Sequence, residues 1–279
     1  MIWGYALVWM KQYLELDPDP LYAKLKLLKQ YDLKTTGIGI QQVAEMTEAE
    51  REKLGAFLED NDLCLTVRPH IDYFNADIDE TKRQVDQGAR LIDQYRGLTR
   101  TPLATIGVAR YHRFTREPSL AQQMDRLAAV LSPLAAACAE MDLPLGIENH
   151  GDYYCSDLVE LCDRVPHLGI FLDTGNTYLI GEAPLPAFEA SAPYVVGSHF
   201  KDHHVRPCPD ARPLHFEVAP AVTGEGDVPL RECYALLKAK APNPERLVME
   251  IELIPPAEID PMESFERSVA FIKSLEAGS

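Results

Sequence analysis

The sequence predicts an α/β protein, a single (β/α)8 barrel over residues 1–279, and three observations lead there. Short apolar runs alternate with longer amphipathic stretches, and eight such runs can be counted. No Pro-, Gly- or Ser-rich linker divides the chain. Its length of 279 residues suits one barrel, which takes roughly 250, whereas a doubly wound sheet of this size would use fewer strands plus a second domain.

The strands are read at Ile2–Val8, Thr35–Ile40, Leu63–Val67, Leu103–Val108, Leu143–Glu148, Leu168–Asp173, Tyr194–Phe200 and Leu247–Glu252. Between and after them, 3.6-residue periodicity marks helices at Glu48–Glu59, Glu80–Tyr95, Ser119–Met141, Asp157–Val165, Leu230–Ala239 and Met262–Leu275. Thr47 and Glu50 form a capping box at the first of these, and Ser156 or Asp157 starts the fourth after a turn. Lys201–Asp227 is the one long non-periodic stretch, Pro-rich and of a length expected of a functional or disordered loop. Within it Gly224-Glu225-Gly226-Asp227 reads as a turn into a helix begun at Pro229, because two acidic side chains do not suit a phosphate cradle.

Composition narrows the function. With 46% hydrophobic and 25% charged residues the chain is an ordinary globular one. A net charge of −16 opposes any polyanion, so no nucleic-acid partner is expected. No apolar run approaches the roughly 20 residues that cross a bilayer, and the apolar start lacks both a basic n-region and a small-residue cleavage site. Six scattered cysteines without a CxxC pair imply reduced thiols and hence a cytoplasmic address. Self-association into a homo-oligomer is left open.

In a barrel the active site lies at the carboxyl ends of the strands, so polar residues ending apolar strands are the ones to inspect. LPLGIENH ends with Glu148, HLGIFLDTGN with Asp173, YVVGSHFKD with His199 and RLVMEIEL with Glu250. Side chains two apart share a face, so Gly146 with Glu148, Phe171 with Asp173, Gly197 with His199 and Val248 with Glu250 point inward. By the same rule Glu252 is the alternative to Glu250. Three carboxylates and one imidazole in one apolar mouth call for a divalent cation, and a ligand set without thiolate suits Mn²⁺, Mg²⁺, Co²⁺ or Zn²⁺. Asp173, just before Thr-Gly-Asn, also fits a helix cap.

These motifs resemble the xylose-isomerase-like barrel family of sugar and sugar-phosphate isomerases and epimerases, inosose dehydratase and endonuclease IV. The resemblance rests on IEN with Glu148, LDTGN with Asp173, SHFKD with His199, Gly224-Glu225-Gly226-Asp227 and the MEIE strand with Glu250, and it runs from about Leu143 onward. It implies that Glu148, Asp173, His199 and Glu250 hold one divalent metal ion, with Glu148 and Glu250 moving protons on opposite faces of the substrate. Departures are Tyr154, where ketose epimerases carry a further Glu, and Asn176, where they often carry His. The endonuclease IV branch would also need His at 176 and an Asp-x-His after the seventh strand, both lacking here, although His70 and His112 stand where that branch places zinc ligands.

Beyond the metal, Lys201 lies two residues past His199 and reads either as a catalytic group stabilising an enolate oxygen or as a solvated loop charge. His70, His112 and Asn176 are assigned to substrate contacts, and Arg68, Arg110 and Arg113 are candidates for an anionic substrate group. The expected function is a metal-dependent isomerase or epimerase of a small sugar or sugar derivative, working by proton abstraction beside a carbonyl through an enediolate. A keto-sugar or keto-inositol dehydratase on the same site is the alternative, followed by a phosphodiesterase and a non-catalytic sugar-binding barrel.

Overall fold

The computed structural model describes residues 1–6, 11–108, 110–210 and 212–278. Eight parallel strands close into a barrel: β1 (Ile2–Tyr5), β2 (Thr35–Gly39), β3 (Cys64–Arg68), β4 (Ala104–Ile106), β5 (Leu145–Glu148), β6 (Leu168–Asp173), β7 (Val195–Phe200) and β10 (Val248–Ile251), with β10 pairing β1. The barrel and its eight strands match the sequence reading. The expected extension of the first strand to Val8 lies outside the described residues.

Several elements differ from expectation. Lys201–Asp227 holds an antiparallel hairpin, β8 (His203–Pro207) with β9 (Phe216–Pro220), which pairs only with itself. Its prolines sit at strand ends, the positions where a missing N–H costs no ladder bond, and they masked the strand pattern. A further helix, Pro20–Gln30, begins at Asp19, whose carboxylate accepts the Leu21 N–H at 2.9 Å, with Pro20 in the first turn. The fourth expected helix starts at Cys155, so Asp157 sits in its first turn and accepts the Tyr154 N–H at 2.9 Å. The Thr47–Glu50 box forms as expected.

The turn at Gly224–Asp227 is held by Asp202. Its buried carboxylate accepts the N–H groups of Gly224, Gly226, Val228 and His203 at 2.8, 2.9, 3.1 and 2.9 Å. A Cβ on Gly226 would stand 2.2 Å from Asp202 Oδ1, so glycine is required there. Low in the barrel, Phe171 lies across the axis against Leu103 and Val248. Gly197 admits that ring, since a Cβ there would come within 2.9 Å of it.

Candidate metal centre

The ends of β5, β6 and β7 and the residue after β10 bring Glu148, Asp173, His199 and Glu252 together, with one ligand atom from each lying within 4.8 Å of the others. His199 Nδ1 is 3.1 Å from Glu148 Oε1, 3.1 Å from Glu252 Oε2 and 3.9 Å from Asp173 Oδ2. The fourth member is thus Glu252, where the sequence points first to Glu250. Strand tilt explains the change. Rows of paired residues run obliquely to the rim, and Glu148 pairs Phe171, two residues short of Asp173. A level ring therefore moves toward the carboxyl ends as it crosses from β5 to β10, past Glu250, the register partner of His199.

Glu250 lies deeper, accepting Thr66 Oγ1–H at 2.8 Å, and faces His199 Nε2 at 3.4 Å. A carboxylate on the second ring nitrogen fixes the ring and leaves Nδ1 as the cluster-facing atom. Phe171 abuts the same ring edge-on, with centroids 4.6 Å apart.

Asp173 carries both roles foreseen for it. Oδ1 accepts the N–H groups of Gly175 and Asn176 at 2.9 and 3.1 Å, as a helix cap does, while the fully buried Oδ2 faces the cluster and accepts no hydrogen bond of good geometry. Asn149 clamps its backbone from both sides, donating to Asp173 O at 2.9 Å and accepting from Asp173 N at 2.6 Å.

Lys201 is 6% exposed, which rules out a solvated loop charge. Its Nζ stands 2.8 Å from Asp173 Oδ2, 3.0 Å from Glu252 Oε2 and 3.2 Å from Asn176 Oδ1. Asn176 in turn donates to Asn149 O at 2.9 Å, so it supports Lys201 and does not face the cavity.

Electrostatics follow from this crowding. Burial pushes the Glu148 carboxyl up, but the His199 ring and Arg68 outweigh it and bring the group down to about 2. Burial raises Asp173 to about 7, with Glu252 and Glu148 adding to it and Lys201 and His199 opposing. His199 would be depressed by burial, yet Glu148, Glu250 and Glu252 hold it well above the ordinary imidazole value. The carboxylates therefore keep a proton on the ring when nothing else neutralises them. A divalent cation fits this donor set, which offers three carboxylate oxygens and an imidazole with no thiolate and a span near the roughly 4.4 Å across an ion with 2.2 Å bonds.

The cluster opens into a cavity of about 820 Å³, lined among others by Arg68, His70, Phe171, Glu148, His199, Glu250 and Glu252. Of the residues expected to meet substrate, Arg68 and His70 line it. His112 and Arg110 are exposed outside this lining, and Arg110 Nη1 is taken by Asp72 Oδ2 at 3.3 Å. Both follow the fourth strand, in a loop whose course the strand ends alone do not reveal. Sequence reading missed Lys24, Gln41 and Gln42, which also line the cavity from two helices that it did not assign, Pro20–Gln30 and Ile40–Glu45.

No helix among the described residues is long and apolar enough to cross a membrane. No curated protein matches the chain. Among solved structures it is similar to D-psicose 3-epimerase with D-tagatose from Clostridium cellulolyticum H10, at TM-score 0.70 and 15% identity over 99% of both chains. It also resembles a xylose isomerase-like TIM barrel protein from Mycobacterium smegmatis in complex with magnesium, at 0.63 and 15% over 92% of this chain and 89% of the other. A third likeness is to the probable 3-DHS dehydratase from Bacillus anthracis, at 0.63 and 14% over 97% and 98%. Residues 25–275 match the family model described as xylose isomerase-like TIM barrel, and the chain belongs to that family.

Proposed function

We propose that the protein is a divalent-metal-dependent isomerase or epimerase of a small sugar or sugar derivative. The observation that carries this reading is the convergence of Glu148 and Glu252 on the His199 ring from either side of β7, each with an oxygen 3.1 Å from Nδ1. Glu148, Asp173, His199 and Glu252 would hold the ion, one of Mn²⁺, Mg²⁺, Co²⁺ or Zn²⁺, whose chemistry is to polarise a carbonyl and acidify the adjacent C–H.

The chain's own groups supply the rest. One glutamate takes the carbon-bound proton, leaving an enediolate of the substrate, and the other returns a proton to the opposite face. Arg68 Nη2, 2.9 Å from Glu148 Oε2, steadies that carboxylate. Lys201 offsets the negative charge of Asp173 and Glu252 and so works as a positioning group. Glu250 orients His199 and is not itself assigned proton transfer.

The dehydratase is the second reading, favoured by Tyr154 standing where ketose epimerases have Glu. There the glutamic acid would protonate a departing β-hydroxyl, releasing water. A panel of keto-sugars in D₂O tests both. At least one should take up deuterium beside its carbonyl, only in ion-loaded protein, and Glu148→Gln should slow exchange by about 10²-fold or more at equal metal content. Recovery of an epimer or aldose supports the first reading and loss of water the second. No exchange by any substrate with the ion bound would overturn both.

A further inference from the structure

The three arginines that the sequence offers to an anionic substrate are all engaged by acids: Arg110 by Asp72, Arg113 by Asp157 and Arg68 by Glu148. The cavity nevertheless has another cation. Lys24 lines it from helix Pro20–Gln30, whose neighbouring residues Ala23 and Leu25 are fully buried in the core and so fix the helix in place. Lys24 is partly buried, and among the described residues no ion pair or hydrogen bond engages its ammonium.

Four acids line the cavity, and each is placed elsewhere. Glu148 and Glu252 belong to the cluster, Glu250 is held by Thr66 and faces His199, and Glu45 is exposed at the rim. None of them forms an ion pair with Lys24. Burial lowers the pKa of its ammonium, and Glu250, acting from further off, offsets part of that lowering.

Among the described residues, this side of the cavity carries little side-chain bulk. Gly37 and Gly39 of β2 are the register partners of Thr66 and Arg68, whose side chains point inward, so two inward positions carry no side chain. Gln41 accepts the His70 N–H at 3.1 Å through Oε1, which leaves its amide N–H groups as donors.

We propose that this lobe receives the distal end of the substrate and that Lys24 binds a carboxylate there, making the substrate a sugar-type keto-acid. In a chain of net charge −16 an entering anion needs a local cation, and a single ammonium matches one negative charge. A phosphate dianion is usually met by several donors together, a guanidinium fork or a cradle of backbone N–H groups beside any lysine, whereas here one ammonium stands with the Gln41 amide. Which end of the substrate reacts is taken from the proposed function, and the assignment of the distal end rests on that reading.

The test is equilibrium binding, by calorimetry, of keto-acids of three to six carbons with a terminal carboxylate, each beside its neutral ketose, D-fructuronate against D-fructose being one pair. In the wild-type protein at least one acid should bind about 10-fold or more tightly than its partner, the scale of a hydrogen bond to a charged group. Lys24→Met should cut that advantage below about two-fold and Lys24→Arg should keep most of it. Equal binding throughout the panel, or an advantage that survives Lys24→Met, would overturn the proposal. Repeating the titrations on metal-free protein separates the two readings: a Lys24-dependent preference there supports the anion subsite even if no divalent ion binds.

Discussion

Binding of a divalent ion to the cluster should release protons, and the structure says from which groups. His199, held well above the ordinary imidazole value by Glu148, Glu250 and Glu252, carries a proton at pH 7 that a ligating ring must lose. Asp173, raised to about 7, is half protonated there, whereas Glu148, brought down to about 2, is already ionised and contributes nothing. The release therefore exceeds that of His199 alone at pH 7, and the Asp173 share falls from pH 6 to pH 8 as that carboxyl ionises through about 7. Because the metal-free state binds more protons, affinity rises with pH across this range. Titrating Mn²⁺ calorimetrically in buffers of different ionisation enthalpy at the three pH values measures the release directly. A release of zero at pH 7, with the ion bound, would refute the protonated His199 and with it the account of how the cluster is neutralised.

Two further outcomes are expected. Glu252→Gln should lower ion affinity by more than about 100-fold and Glu250→Gln by about 10- to 100-fold, the range for a group that orients a ligand, with metal content by mass spectrometry as the readout; the reverse order would return Glu250 to the cluster. Asp202→Ala should lower stability by about 3 kcal/mol or more, because four N–H groups at 2.8–3.1 Å lose a buried carboxylate, and a melting temperature within about 2 °C of wild type would contradict that role.

Much of this was legible in the residues. The apolar blocks ending in Glu148, Asp173 and His199 announce buried parallel strands with polar tips, so both the barrel and three members of the cluster can be read from them. The choice between Glu250 and Glu252 depends on strand tilt, a property of the closed sheet that no single strand encodes. Lys24 was hidden because KLKLLKQ mixes apolar and charged residues too evenly to show which side is buried. Arg110 and Arg113 sit near strand ends in sequence, but Asp72 and Asp157, far along the chain, claim them.

The ring of Phe171, lying across the axis beneath His199, seals the barrel below the cluster together with Leu103 and Val248. Among the described residues, the cavity mouth is then the route by which solvent reaches the glutamates. A substrate seated in that mouth would slow the escape of a proton taken from its carbon. An isotope label taken from that carbon stays on the first glutamate and returns in part to re-formed substrate, while the epimer carries the second glutamate's proton, so the label retained in recovered substrate reports how long the mouth stays covered.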